Sequence, residues 1–312
     1  MPVLYHLNEW SKQLYKEISL NPDFDFGFEE RGLLMLYKTE KQAREEEELA
    51  EKAHQLGVNA AIMDLPRLKT LEPEMDLDVL GGIYFPGDAH LYPNRFIRQM
   101  IAALKQRGVQ FLVNTEIVDF NVSGRQITSL TSRSGQEIKV QNVLLTTGAW
   151  TGHLLKKLGI KIHLIAGKGY SITIKKPGLR PCIPTLLSEA KVALTPMGDD
   201  LRIGGTLELS GVSDHINQRR LSGIMESIPA YYRNLEVPFS PSTKIWQGYR
   251  PCTPDGMPYI GKSSQLSNMI LGTGHGTMGM SLGPATSKLI SQIMTEQDTE
   301  IDLHAFRLNR FK

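Results

Sequence analysis

The sequence predicts a mixed α/β fold, and three patterns along the chain support that prediction. From Gly81 onwards, a strand is followed by a helix, a second strand and a β-meander. Between Lys168 and Leu209, apolar and polar residues alternate as they do in antiparallel strands. Near the C-terminus, MILGTG and SLGPATSKLISQIM give a strand, a glycine turn and a helix. The strand–helix pattern and the antiparallel-strand pattern alternate along the chain, which predicts two domains that are discontinuous in sequence.

Four elements are expected before Gly81. Apolar residues at three- and four-residue spacing in the opening segment predict a helix with one packed face. RGLLMLYK predicts a short strand, and KTEKQAREEEELAEKAHQLG predicts a charged helix that faces solvent. LPRLKTLEPEM contains two prolines and is interpreted as a connection.

The remaining elements follow in order. GGIYFPGDAHLYP predicts a strand and a turn, and NRFIRQMIAALKQRG predicts a helix. VQFLVNTEIVDF predicts a strand that leads into the meander. YSITIKK, KVALTPMG and LRIGGTLE predict antiparallel strands, and DHINQRRLSGIMESIPAYY predicts a helix after them.

Composition and charge exclude several classes of protein. The 312 residues carry a formal net charge of +2 with no basic block, so nucleic acid is not an expected partner. Cys182 and Cys252 form no disulfide framework, and neither has a second Cys or His at metal-ligand spacing. This predicts a reduced, cytoplasmic setting and no metal site. The chain shows no secretory signal, and no stretch approaches the roughly 18 apolar residues of a transmembrane helix. A peripheral position at the inner membrane stays open.

The stretch LGTGHGTMGM places Gly274, Gly276 and Gly279 at the spacing of a dinucleotide-binding loop. Such a loop needs a second strand with a ribose-binding carboxylate about twenty residues further on. One helix and a polar tail follow instead, so we reject this turn as the ADP site. The turn and helix start still present unpaired N–H groups and a positive helix end to an electron-rich group.

A second motif, WQGYRPCTPDGMPYIG, lies upstream of this turn. The two motifs in this order, together with GDAHLYPNRF, TTGAWT and KGYSITI, resemble the FAD-dependent D-amino-acid oxidase fold family. Within the family, the likeness is nearest to D-amino-acid dehydrogenases and glycine oxidase, and it covers roughly Gly81 to Phe311.

The resemblance implies a two-domain FAD-dependent amine oxidoreductase fold, in which an FAD domain interleaves with an antiparallel substrate domain. The implied segments are 1–80 (helical and strand part of the substrate domain), 81–166 (FAD domain with the meander), 167–247 (antiparallel substrate domain) and 248–312 (return segment of the FAD domain).

The resemblance also implies that the C-terminal glycine turn faces the isoalloxazine ring of FAD. Its N–H donors stabilise charge on the reduced ring, and glycine lets the backbone come close. His275 is interpreted as a hydrogen-bonding residue near the flavin rather than a general base. Thr277 stands where glycine oxidases carry arginine, which favours the dehydrogenase branch. The cofactor-binding residues implied are Gly148, Gly274, His275, Gly276, Thr277, Met278 and Gly279, with main-chain contacts to the adenine from Glu116 and Ile117.

Arg250 is the residue that the resemblance assigns to substrate binding. A guanidinium binds a carboxylate through two parallel hydrogen bonds, and the family places its carboxylate-binding arginine before a proline, as in Arg250-Pro251. A structural salt bridge is the alternative. The sequence leaves open whether Tyr249 adds its hydroxyl to this clamp or packs as an aromatic. It also leaves open whether His90 lines the pocket or lies on a loop surface.

The implied reaction oxidises the CH–NH bond of a D-amino acid to an imino acid by hydride transfer to flavin N5, and a quinone or oxygen then accepts the electrons. Glycine, sarcosine or another secondary amine such as D-hydroxyproline is the alternative substrate class.

The family's opening strand, G-x-G-x-x-G turn and ribose-binding acid are not found in residues 1–80. The chain is therefore expected to begin within the family pattern, with an uncovered apolar position in its parallel sheet. Weak FAD affinity, poor solubility and little activity are expected, and an inactive fragment without cofactor is a further alternative.

Overall fold

The computed structural model describes residues 2–239 and 243–311. These residues form three sheets with helices packed against them. The helices are α1 (Pro2–Ser19), α2 (Glu40–Gln55), α3 (Leu65–Leu71), α4 (Pro93–Gln106), α5 (Thr151–Lys157), α6 (Gln218–Tyr231) and α7 (Gly279–Met294). The strands are β1 (Leu33–Tyr37), β2 (Ala61–Asp64), β3 (Gly81–Phe85), β4 (Ile117–Ser123), β5 (Gln126–Ser132), β6 (Glu137–Lys139), β7 (Val143–Leu145), β8 (Ile165–Ile174), β9 (Thr185–Leu187), β10 (Val192–Met197), β11 (Asp200–Glu208), β12 (Ile245–Cys252), β13 (Tyr259–Lys262) and β14 (Met269–Thr273).

The largest sheet has the strand order β12-β8-β11-β10-β9-β1-β3-β2 among the described residues. Its neighbouring strands are antiparallel except for β1 and β9, which are parallel. One face buries the main hydrophobic core against α3 and α6, and Tyr170, Ile172 and Ile203 point into that core. Because side chains alternate along a strand, the residues between them point to the opposite face.

A second sheet, β13-β14-β7, carries α7 on one side. Strand β14 is parallel to β7 and leads directly into the C-terminal glycine turn. Helix α7 lies close to β14 because Gly272 has no side chain, and a Cβ there would lie 2.6 Å from Ile290 Cδ1. Helix α1 packs along α7, and the hydroxyl of Tyr15 donates to the carbonyl of Met280 at 2.8 Å. The third sheet is the meander β4-β5-β6.

The mixed α/β class predicted from the sequence is confirmed, but the segment after β2 differs from its prediction. LPRLKTL forms α3 rather than a connection. The carboxylate of Asp64 caps this helix by accepting from Arg67 N at 3.0 Å. Pro66 lies in the first turn, where no intrahelical N–H donor is required, so proline marks a helix start in this segment.

The segment 109–116 was predicted to be part of a strand, yet β4 begins only at Ile117. Within the described ranges no strand pairs with this segment, and Val113 is 76% exposed. A turn at Val113 and Asn114, where Asn114 has a φ of 56°, interrupts this segment, so the apolar pattern alone does not make a strand. The outer edge of β7 also pairs with no described strand, and Leu144 is 39% exposed there.

The division of the chain into four segments stays a prediction. None of the helices in the described part of the chain is long and apolar enough to cross a membrane.

Candidate active site

Two arginines share the face of the large sheet that points away from its core. Arg250 lies on the edge strand β12, and Arg202 lies on β11. Strand β8 runs between them, and the register of both pairings places Gly169 and Ser171 of β8 on this same face. The sheet thus brings two guanidinium groups together over a patch of small residues.

Arg250 is half-buried, and its Nη1 donates to the carbonyl of Thr206 at 2.9 Å. The guanidinium lies directly over Gly169, where a Cβ would overlap it. Burial lowers the pKa of Arg250, and no described carboxylate forms an ion pair with it. The alternative of a structural salt bridge is therefore not found, and the group has donors free for an anionic ligand.

Strand β11, which is separated from Arg250 by β8, is distorted where it contacts the guanidinium. Strand β11 shifts register against β8 between Gly205 and Glu208, and Thr206 adopts a φ of 66° within the irregularity. A residue other than glycine is strained in this region, and such strain persists only where its surroundings hold it. The distortion presents the Thr206 carbonyl to Arg250. Two residues after Thr206, the carboxylate of Glu208 accepts from Tyr170 Oη at 2.8 Å, and this bond anchors the end of β11.

Tyr249 packs against an aromatic neighbour in this structure. It follows Gly248 and precedes Arg250 in β12, so its side chain points to the other side of the strand from the guanidinium. Its ring meets Trp150 edge-on at 5.6 Å, and its hydroxyl lies 3.4 Å from Asp214 Oδ1. Strand geometry separates the two side chains, and the inclusion of Tyr249 in the carboxylate clamp stays a prediction.

A cavity of about 270 Å³ opens between this sheet face and the start of α7. Thr195 and Met197 of β10 line it from the sheet, and Met280 and Ser281 line it from α7. Thr195 pairs with Arg202, so the cavity opens on the face that carries the arginines.

His90 lines this cavity, which is one of the two positions left open for it. Its Nδ1 is buried and has no hydrogen-bond partner among the described residues. Burial is the main cause that lowers the pKa of the ring, so His90 is predominantly neutral at neutral pH. His90 therefore adds no charge to the cavity that it lines.

The C-terminal glycine turn forms an open cradle at the start of α7. Gly274 and Gly276 have φ angles of 82° and 54°, which a side chain would strain. No side chain caps α7, and its first residue is Gly279. Gly276 and Gly148, which starts the turn before α5, have no atom within 4 Å of the position that a Cβ would occupy. Strand β12 packs against both turns. Donors and a positive helix end thus face open space beside the strand of Arg250.

The other residues of the turn differ in their surroundings. Thr277 is exposed, and Met278 packs against the core between α1 and α7. His275 lies 2.9 Å, Nε2 to Oγ1, from Thr286 of α7. Burial lowers the pKa of His275 to about 4. The ring is therefore neutral at pH 7, so His275 acts as a hydrogen-bonding residue and not as a cation.

We expect His275 to make the protein less stable as the pH falls. Its pKa is about 4 in the folded protein, while an unfolded histidine titrates near 6.5. The unfolded state therefore binds more protons between these values. The stability that the neutral ring contributes is fully present above pH 6.5. About 2 kcal/mol of the free energy of unfolding is lost between pH 6.5 and 5. Denaturant unfolding at these two pH values measures the loss.

The matched comparison is His275→Gln, in which the side-chain amide can still bond to Thr286. This variant should lose less stability than the parent between the two pH values. His6→Gln, at an exposed position of α1, should behave like the parent. Equal pH dependence in His275→Gln and the parent would exclude His275 as the titrating group.

Glu116 and Ile117 lie at the start of β4, away from the large sheet. The Glu116 carboxylate forms a bidentate, exposed ion pair with Arg133 at 2.6 and 2.7 Å. The Glu116 carbonyl accepts from Arg133 N at 2.7 Å. Their main-chain contact with adenine stays a prediction.

Sequence reasoning missed three residues of this site: Arg202, Gly169 and Thr206. Gly169 was available as a signal, since G-K-G in a strand that otherwise alternates normally indicates a close approach to the backbone. Thr206 and Arg202 carried no such signal, because their roles depend on strand register.

Comparisons with known proteins connect this chain to a family. Residues 2–293 match the family described as FAD dependent oxidoreductase. A D-amino acid dehydrogenase of Vibrio vulnificus is 31% identical over 299 residues, which are 93% of this chain and 70% of that relative. A D-amino acid dehydrogenase of Helicobacter pylori is 29% identical over 283 residues, which are 90% of this chain and 67% of that relative.

Solved structures share the fold at lower identity. Glycine oxidase from Geobacillus kaustophilus superposes with a TM-score of 0.88 at 21% identity, covering 99% of this chain and 82% of its own. L-proline dehydrogenase from P. horikoshii superposes with a TM-score of 0.86 at 21% identity, covering 100% of this chain and 84% of its own.

Proposed function

Because this chain belongs to the FAD-dependent oxidoreductase family, we propose that it oxidises D-amino acids to imino acids, which water then converts to keto acids and ammonia. The observation that carries this proposal is the half-buried guanidinium of Arg250, which has no carboxylate partner in the described part of the protein. The carboxylate of a substrate would supply the partner that this guanidinium lacks. The preference for the D-enantiomer rests on the names of the relatives from Vibrio and Helicobacter.

FAD is the cofactor of this family, and the residues present fit its isoalloxazine ring. Gly276 and Gly148 leave open space where side chains would otherwise stand. The uncapped start of α7 offers N–H donors and a positive helix end, which match an electron-rich ring edge. We propose that these two turns hold the ring, with His275, Thr277 and Met278 beside it. The flavin, when bound, supplies the acceptor for the hydride of the substrate.

The protein's own part in the reaction is positioning. Arg250 holds the carboxylate by a two-point contact, which fixes the direction of the Cα–H bond. Gly169 and the Thr206 carbonyl in turn hold Arg250. The cavity beyond Arg202 is lined partly by Met197 and Met280, which favour a site that excludes water around the reacting amine.

The electron acceptor and the location are also proposals. The relatives from Vibrio and Helicobacter are named dehydrogenases, which favours a carrier such as a quinone over oxygen. A quinone dissolved in a bilayer would bring the protein to the inner membrane surface, whereas a soluble acceptor would leave it in the cytoplasm.

Anaerobic reduction of bound flavin tests this function. The protein is incubated with FAD, freed of excess cofactor, and mixed with D-alanine, D-methionine, their L-enantiomers, glycine, sarcosine and D-hydroxyproline. We expect the D-amino acids to bleach the yellow flavin and to yield keto acid and ammonia. Bleaching only by glycine or secondary amines would support that alternative. Protein that retains no FAD would support the alternative without cofactor.

A further inference from the structure

Arg202 is a second cation on the sheet face of Arg250, and the proposed reaction does not yet use it. It is half-buried in β11, and its Nη2 donates to Ser171 Oγ at 3.0 Å. The guanidinium carbon lies 5.4 Å from the centre of the Trp246 ring. Trp246 is 57% exposed, so the ring beside this guanidinium lies at the surface.

No carboxylate neutralises Arg202 within residues 2–239 and 243–311. The acid two positions earlier in β11, Asp200, is bonded to Lys175 at 2.6 Å. Burial lowers the pKa of Arg202, as it does for a cation removed from water without a counter-ion. Half-buried cations are normally paired, and this one has only neutral partners.

The two guanidinium groups are close enough to share one small ligand. That of Arg250 lies over Gly169, and that of Arg202 is bonded to Ser171. Gly169 and Ser171 are alternate residues on one face of β8, with Cα atoms about 7 Å apart, so the two guanidinium groups lie over neighbouring positions of this strand. Thr195, which pairs with Arg202, lines the neighbouring cavity.

We propose that Arg202 binds a second carboxylate of the substrate, so that the preferred substrates are acidic D-amino acids such as D-aspartate and D-glutamate. This inference rests on the proposed oxidation of D-amino acids. Arg250 takes the carboxylate on Cα, and Arg202 takes the one that ends the side chain. One or two methylene groups between Cα and the second carboxylate let a single molecule span the two arginines.

An amino acid with a neutral side chain pairs with Arg250 but brings no charged group to Arg202. D-Glutamine has nearly the shape of D-glutamate, but its amide brings no charge to Arg202. A hydrogen bond to a charged group contributes about 1.5–3 kcal/mol and a neutral one about 0.5–1.5 kcal/mol, so the difference corresponds to roughly five- to tenfold in affinity. The structure therefore predicts that kcat/KM for D-glutamate exceeds that for D-glutamine by about this factor.

Substitution of Arg202 separates its charge from its packing. Arg202→Met keeps the aliphatic stem and removes the cation, so the ratio of kcat/KM for D-glutamate over D-glutamine should fall to about one. Arg202→Lys should retain part of the preference. Arg219→Met, on the exposed surface of α6, should leave the ratio unchanged.

A binding measurement gives a second readout that does not depend on turnover. Calorimetric titration with glutarate and with its half-amide should show tighter binding of glutarate by the parent protein, and this difference should vanish in Arg202→Met. The proposal is overturned if neutral D-amino acids reduce the flavin while D-aspartate and D-glutamate show no preference over their amides. It is also overturned if Arg202→Met keeps the preference. If no D-amino acid at all reduces the flavin, the proposed function fails instead.

Discussion

Arg250→Met is expected to lower kcat/KM for a D-amino acid by about thirtyfold to a thousandfold. The half-buried guanidinium has no described protein carboxylate as partner, and losing one side of a desolvated charge pair costs about 2–4 kcal/mol. Methionine preserves the stem and removes the planar fork. Steady-state kinetics with an artificial electron acceptor measure the effect.

Arg250→Lys should recover little of this loss, because an ammonium group does not match a carboxylate at two points. Arg98→Met, on the exposed surface of α4, serves as the control and should keep the parental kcat/KM. Near-parental kcat/KM in Arg250→Met, with folding shown by an unchanged circular dichroism spectrum, would remove Arg250 from the site.

Gly169→Ala is expected to impair substrate binding without removing any functional group. A methyl group at this position would overlap the guanidinium of Arg250. That guanidinium is the far end of a flexible side chain, so it should move while the fold stays intact. Misplacement by about 1 Å can cost up to roughly a hundredfold in rate. We therefore expect a tenfold to hundredfold rise in KM with a nearly unchanged Tm.

Gly178→Ala is the matched control, because no atom lies within 4 Å of the position of its Cβ and the residue is outside the site. It should leave both KM and Tm unaltered. A parental KM in Gly169→Ala would show that Arg250 is not held in this position when substrate binds. A large fall in Tm would show that the guanidinium cannot move aside, and the kinetic result would then report on folding.

Local patterns were sufficient to predict most elements of the fold. The alternation in YSITIKK, KVALTPMG and LRIGGTLE indicated β8, β10 and β11, and helical spacing indicated α1, α4 and α6. The predictions that differ from the structure concern two segments in which a local sequence signal was outweighed by another interaction. Pro66 suggested a break but sits in the first turn of α3, where Asp64 caps the helix. The apolar segment before Ile117 had a strand pattern, but no neighbouring strand in the described residues pairs with it.

The candidate site was predictable only in part, for a reason specific to sheets. The motif around Arg250 and the glycine turn around Gly276 are contiguous in sequence, so each could be recognised by itself. The relation between Arg250 and Arg202 depends on how β12, β8 and β11 pair, and residues 48 positions apart (250 minus 202) are not related by local spacing. The strained φ of Thr206 has no sequence signal either, because threonine is ordinary in a strand.

The contact between Arg250 and a substrate carboxylate is the central prediction for this protein. A crystal structure of the FAD-loaded protein with a keto acid product, or with a carboxylate inhibitor, tests it most directly. We expect two carboxylate oxygens at about 2.7–2.9 Å from guanidinium nitrogens of Arg250, as in bidentate charge-assisted pairs. The ligand should lie between the Arg250 face of the sheet and the glycine turn at Gly276. A ligand bound elsewhere, with Arg250 still bonded only to the Thr206 carbonyl, would contradict the account.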